Sequence, residues 1–298
     1  MTTGAVRTLL QRFTIEVTPK QIEKVPDLRE LLPRGTTVYL AHIEGTPFPE
    51  MLAAARRLAR EGYDPRPHIP ARLLESEDQL REWTRAYGGE AGVTSALIIA
   101  GGIERPRGPF ADSMAVLETG ALSDAGIRTI AVAGHPEGNR DIGEEGIAAA
   151  LAWKNAYAER TGDALSITTQ FCFEAAPCIA WAERLRAGGN RLPIDLGVAG
   201  PAKLSTLIKY ATMCGIGPSM RVLTRQARNM TKLMSVAGPD AFVARIAEHV
   251  AETPDSAIRR LHFFPLGGLR QTAEWVRENR GGLHAQPLDN ARGTRQVA

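Results

Sequence analysis

Cysteine is scarce in this chain: three in 298 residues, an odd number without paired spacing, leaves no disulfide framework and no zinc-type ligand pattern. Cys172, Cys178 and Cys214 are read as reduced thiols of a cytoplasmic protein, with Cys172 and Cys178 as packing residues. Long apolar runs are missing too. No stretch of about 18 apolar residues occurs, so no membrane span is expected. The opening Met1-Thr2-Thr3-Gly4-Ala5-Val6-Arg7 lacks the basic segment and apolar core of a signal peptide. Charge of one sign is likewise lacking: 36 basic against 33 acidic residues leaves +3, too little to imply nucleic acid. Nucleotide-binding glycine fingerprints are absent after every candidate strand, and Val17-Thr18-Pro19-Lys20-Gln21 carries no glycine at all. An open doubly wound sheet, the competing fold, would need such a turn after its first strand.

What is present is a set of short apolar runs that end in polar residues or glycine. The candidate strands are Thr14–Val17, Thr37–Ile43, Arg66–Ala71, Ala96–Ala100, Thr129–Ala133, Leu165–Phe171, Ile194–Val198 and Leu261–Leu266. Helical periodicity fills the gaps. In 49–61, Met51, Leu52, Ala55, Leu58 and Ala59 share one face, leaving Glu50, Arg56, Arg57 and Arg60 for solvent. Residues 144–160, 175–187 and 203–214 behave similarly. The pattern predicts a (β/α)8 TIM barrel with its site at the top face. Helix-like segments at 219–234 and 240–252 predict extra helices between strands seven and eight. No linker divides the chain, so residues 1–298 are read as one catalytic domain, with 281–298 a loose tail.

Glu16 breaks the apolar rule in the first strand, and a carboxylate there needs a partner or a task. His42, His68, Gly101, Gly102, His135, Gln170 and Leu266 mark later strand ends. Three histidines could bind zinc, but no H-x-H or H-x-x-x-H spacing supports this, and no metal is expected. Arg221, Arg225, Arg228 and Lys232 fall on one helix face, where a solvated or acid-paired surface is the default over RNA or a polyglutamate tail.

Four of these segments together resemble the catalytic barrel of the methylenetetrahydrofolate reductases, over roughly Phe13 to Asn279. Thr14-Ile15-Glu16-Val17-Thr18-Pro19 resembles that family's F-E-F-F-P-P, and Pro67-His68-Ile69 its P-H-L. Val132-Ala133-Gly134-His135-Pro136-Glu137-Gly138-Asn139 resembles V-A-G-Y-P-E-G-H, and Ile167-Thr168-Thr169-Gln170-Phe171-Cys172-Phe173 resembles I-I-T-Q-x-F-F. The resemblance implies a flavin-dependent oxidoreductase interconverting 5,10-methylene- and 5-methyltetrahydrofolate, with FAD as cofactor and NADH or NADPH as co-substrate. It also implies a homo-oligomer.

On that resemblance Glu16 is the general acid in reduction and the base in oxidation, its pKa raised by desolvation. A buried ion pair with a cation of a neighbouring strand is the alternative. Gln170 would orient the pterin, or else cap its strand end. Phe173, Tyr210 and Leu266 would line the substrate, with helix-core packing the alternative for Tyr210 and plain packing for Leu266. His42, His68, Gly101, Gly102, Phe110, Ala111, His135, Pro136, Glu137, Gly138 and Asn139 would hold FAD. Lys154 would neutralise its diphosphate, or else be a solvated helix lysine. His249 and His262 are read as structural. The chain departs from the family where R-G-D becomes Ala100-Gly101-Gly102; Glu104 and Arg270 stand near the missing acid and arginine. These changes suggest the oxidative direction, recovering one-carbon units. They also keep open a flavin-free folate-binding barrel performing methyl transfer or pterin hydrolysis, and a non-catalytic folate-binding module.

Overall fold

Short runs of β-branched and apolar residues, each followed by a segment of helical period, pair side by side in parallel because every return path is a helix. The computed structural model describes residues 4–139, 142–213 and 235–281. Eight strands close a barrel: β1 (Thr14–Val17), β2 (Thr37–Leu40), β3 (Asp64–Pro70), β4 (Ser95–Ile99), β5 (Thr129–Gly134), β6 (Ala164–Cys172), β7 (Ile194–Ala199) and β10 (Ile258–Phe264). β10 pairs with β1 on one side and β7 on the other, and all pairings are parallel. The expected (β/α)8 barrel is therefore what the chain forms. β8 (Ala202–Lys203) and β9 (Val236–Ala237) form a small antiparallel pair above it.

The helices are α1 (Gly4–Leu10), α2 (Pro19–Glu23), α3 (Phe48–Arg60), α4 (Glu77–Ala91), α5 (Ser113–Glu118), α6 (Ala121–Asp124), α7 (Glu144–Thr161), α8 (Ala175–Ala187), α9 (Leu204–Met213), α10 (Asp240–Glu252) and α11 (Leu269–Arg280). Of the extra helices expected between the last two barrel strands, α10 is present; 219–234, with Arg221, Arg225, Arg228 and Lys232, lies outside the described residues, as do Cys214 and 282–298.

Local chemistry sets the helix ends. Thr18 starts α2 with a capping box: its N–H donates to Gln21 Oε1 at 2.8 Å and its Oγ1 accepts from Gln21 N at 3.3 Å. α3 buries Met51, Ala54, Ala55 and Leu58, while Leu52 and Ala59 are only half-buried. Arg57 is not left to solvent. Its guanidinium donates to the carbonyls of Ile22, Val25 and Pro26, so it closes the C-terminal end of α2. Strand β10 begins at Ile258 and ends at Phe264 because Pro265, without an N–H, cannot extend the ladder. Leu266 therefore sits beyond the strand.

Barrel interiors are usually filled by branched aliphatic side chains. This one is polar in the middle. Alternation points Tyr39, Arg66, Thr168, Asp195 and Arg260 inward, and they bond to one another. Arg66 Nη1 donates to Tyr39 Oη at 2.8 Å and Arg66 Nε to Ser95 Oγ at 3.1 Å. Tyr39 Oη lies 3.0 Å from Thr168 Oγ1. Asp195, fully buried, accepts from Arg260 at 2.8 Å and from Arg259 at 3.0 Å. Burial would raise the Asp195 carboxyl, but Arg260, Arg259 and Arg66 hold it below the usual carboxylate range. The apolar share of the same layer is Leu97 and Ala131 beside Tyr39.

Candidate active site at the barrel mouth

Glu16 rises from β1 directly above this polar layer. The register aligns Glu16 with Tyr39 on β2 and Thr14 with His262 on β10. Two imidazoles thereby meet one carboxylate: His68 Nε2 stands 3.2 Å and His262 Nε2 3.8 Å from Glu16 Oε2. Neither ring nitrogen meets hydrogen-bond geometry with any partner among the described residues, so both face the carboxylate as close charge contacts. His262 is oriented from below, its Nδ1 2.8 Å from Thr14 Oγ1, and its ring packs against Tyr39 with centroids 4.3 Å apart. Tyr39 also meets His68 edge-on at 6.1 Å.

Electrostatics reverse one expectation. Burial does push the Glu16 carboxyl up, but the charge of His68 and the close approach of both imidazoles outweigh it and hold the group at about 2. Glu16 is thus ionised at neutral pH. Burial lowers the pKa of His262, with Glu16 opposing the shift. His262, read from sequence as structural, is fully buried and lies beside Glu16. The signal that could have found it is the same one that singled out Glu16: a polar residue alternating inward within an apolar strand. Asp195 and Arg66 carry that signal as well.

The expected substrate residues gather beside this centre. Phe264 meets His262 edge-on at 4.7 Å and Phe171 at 5.3 Å. Phe173, Tyr210 and Leu266 pack on the same apolar cluster, which Phe171, Leu204 and Leu207 anchor. Gln170 lies where β6 slips register against β7, between Thr168 and Phe171. Its Oε1 accepts from Phe171 N at 3.1 Å, the strand-end bond that was the alternative for it, which leaves its amide NH2 as donor. The slip depends on Gly197: a Cβ there would lie 2.4 Å from Gln170 O.

The residues expected to hold FAD each have partners or a place within the protein. His68 is engaged with Glu16. His42 is buried, its Nε2 3.0 Å from Thr46 O and its ring 5.3 Å from Trp83. Gly101 sits at φ +100 with its backbone against Pro70, and Gly102 is exposed. Phe110 is buried in the main core, and the Ala111 carbonyl accepts from Arg72 Nε at 2.9 Å. His135, Pro136, Glu137, Gly138 and Asn139 form a turn closed by Gly138 N to His135 O at 3.1 Å, with Asn139 Nδ2 3.3 Å from His135 Nε2. Lys154 is 9% exposed, not solvated, and lines a cavity between β5, β6, α7 and α8. Phe110 is thus turned into the protein, and Lys154 into that cavity. Glu104 and Arg270 are exposed.

Among the described residues no helix is long and apolar enough to cross a membrane, and no three His, Cys, Asp or Glu are placed to hold a metal. Cys172 and Cys178 are buried and unlinked.

No protein-family model matches the chain. A protein from Clostridium thermocellum, described as binding two copies of 5-methyl-5,6,7,8-tetrahydrofolic acid, is similar over 92% of this chain and 98% of its own, with a TM-score of 0.58 and 10% identity. The CutC protein of Streptococcus agalactiae covers 84% of this chain and 97% of its own at a TM-score of 0.41 and 11% identity. The 3-keto-D-glucoside 4-epimerase YcjR of E. coli covers 84% and 98% at 0.38 and 14%. At such identities the likeness to the first is one of fold.

Proposed function

We propose that the barrel mouth binds a reduced folate and interconverts 5,10-methylene- and 5-methyltetrahydrofolate. The carrying observation is the Glu16 carboxylate held between His68 and His262, with Phe264 and Phe171 forming an aromatic wall against His262. Opening the methylene bridge breaks a C–N bond, and the departing folate nitrogen takes a proton while the one-carbon unit receives a hydride. The Glu16–imidazole group supplies that proton in reduction and takes it back in oxidation. Glu16 stands against both imidazoles, while Thr14 orients His262 from the opposite side of the ring. The Gln170 amide donates to the pterin edge, and Phe173, Tyr210 and Leu266 exclude water from the reacting carbon. Folate binding by a Clostridium thermocellum protein of the same fold supports the substrate class.

FAD, with NADH or NADPH as its partner, is the hydride carrier that the sequence resemblance suggests. The inward burial of Phe110 and Lys154 favours a second reading, a barrel that binds folate without flavin. The visible spectrum of the purified protein, recorded with and without added FAD and during anaerobic titration with 5-methyltetrahydrofolate, separates the two. Bleaching of an oxidised-flavin band supports the flavin–folate half-reaction. A colourless protein that binds folate supports the flavin-free reading. Absence of folate binding overturns both. Comparing turnover of 5-methyltetrahydrofolate with the reverse rate then gives the direction.

A further inference from the structure

Helix α7 turns Ile147, Ala150, Leu151 and Lys154 toward the barrel wall, a spacing that forms one continuous face. Packing asks for an aliphatic residue at the last of these positions, yet a lysine is there. Beneath the face is a cavity of about 40 Å³. Ile142, Ile147, Leu151 and Trp181 give it apolar walls, and His135 stands at the edge nearest the barrel mouth. Ala150 is short, which helps keep the space open. Gly134 brings the wall close to Trp181: a Cβ there would lie 2.4 Å from Ile167 Cγ2 and 3.2 Å from the Trp181 ring.

Lys154 is the one lysine or arginine lining this cavity among the described residues. It makes no hydrogen bond and no ion pair within 4.0 Å among the described residues. The carboxylate whose charge reaches it, Asp112, is already occupied as the N-cap of α5, accepting from Met114 N at 2.8 Å and Ala115 N at 3.1 Å. Burial lowers the pKa of the amine, with Asp112 opposing. A buried ammonium without a partner is costly, and a ligand anion in the cavity would offset that cost.

We infer that the α7–α8 cavity is a binding site for a short-chain monocarboxylate, with its carboxylate on Lys154 and its alkyl chain against Ile147, Leu151 and Trp181. About 40 Å³ holds roughly three water-sized groups, which limits the ligand to a short chain. The site stands apart from Glu16 and does not depend on the folate reading.

The test is NMR titration of the whole protein with carbon-13-labelled propionate, set against propionamide and propylamine as the neutral and cationic analogues and against ADP. Saturable propionate binding is expected, with propionamide weaker by about tenfold or more and propylamine not binding. Lys154→Met is expected to lose the preference for propionate over propionamide while keeping the fold. Ala150→Leu, which fills the cavity without touching the charge, is expected to abolish binding of both. No saturable propionate binding to the unmodified protein overturns the inference. So does equal binding of propionate and propionamide, or Lys154-dependent binding of ADP without propionate, which would make the cavity one end of a nucleotide site.

Discussion

At Glu16 two imidazoles beat desolvation, and the sign of that contest is measurable. A carboxyl held at about 2 against an ordinary 4.5 adds stability above the ordinary value and loses it as pH falls toward the lower one. Wild-type protein is therefore expected to lose on the order of 2–3 kcal/mol between pH 4.5 and 2 that Glu16→Gln does not lose. Urea unfolding of both proteins at pH 6, 4 and 3 checks this, and an identical pH dependence would remove the ion pair with His68. The same substitution is expected to lower folate turnover by roughly 10²–10⁴ while leaving folate binding within a few-fold. His262→Asn is expected to shift the pH profile of turnover more than the folate Kd, because His262 touches the carboxylate and Thr14 fixes its ring.

Strand β6 shows how one glycine places an element. Gly197 on β7 lets the backbone of Gln170 approach so closely that a methyl group would meet both the oxygen and the carbonyl carbon, at 2.4 and 2.6 Å. Gly197→Ala is expected to destabilise the barrel by about 1–3 kcal/mol and to weaken folate binding through displacement of Gln170. Thermal unfolding together with folate titration checks both effects; a stable variant with unchanged affinity would mean that the register slip does not position the amide. Arg57 does comparable work for α2, its guanidinium serving three carbonyls that the short helix and the chain after it leave open. Its place on the solvent side of an amphipathic pattern gave no hint of this, because the carbonyls come from a segment about 30 residues earlier.

Across the whole barrel, the polar layer of Tyr39, Arg66, Thr168, Asp195 and Arg260 joins five strands around the bore. Asp195→Asn leaves Arg260 buried and without its counter-ion, and is expected to cost about 3–5 kcal/mol, read as a lower urea midpoint. A midpoint within error of the wild type would show that the layer is neutralised from elsewhere. Since Tyr39 touches both this layer and the His262 ring, loss of the layer is expected to lower turnover as well.

Strand order, barrel closure and the apolar face of α3 could be read from the sequence, because period and length are local properties of a chain. So could the importance of Glu16, which stands out by being charged among apolar neighbours. The grouping of Phe173, Tyr210 and Leu266 was available through family resemblance. The ionisation of Glu16 was not, since its controlling imidazoles arrive from β3 and β10, and the Thr14–His262 contact spans 248 residues. Nor was the burial of Phe110 and Lys154: whether a lysine meets water or a cavity depends on how α7 turns against β5 and β6, which only the packed molecule decides.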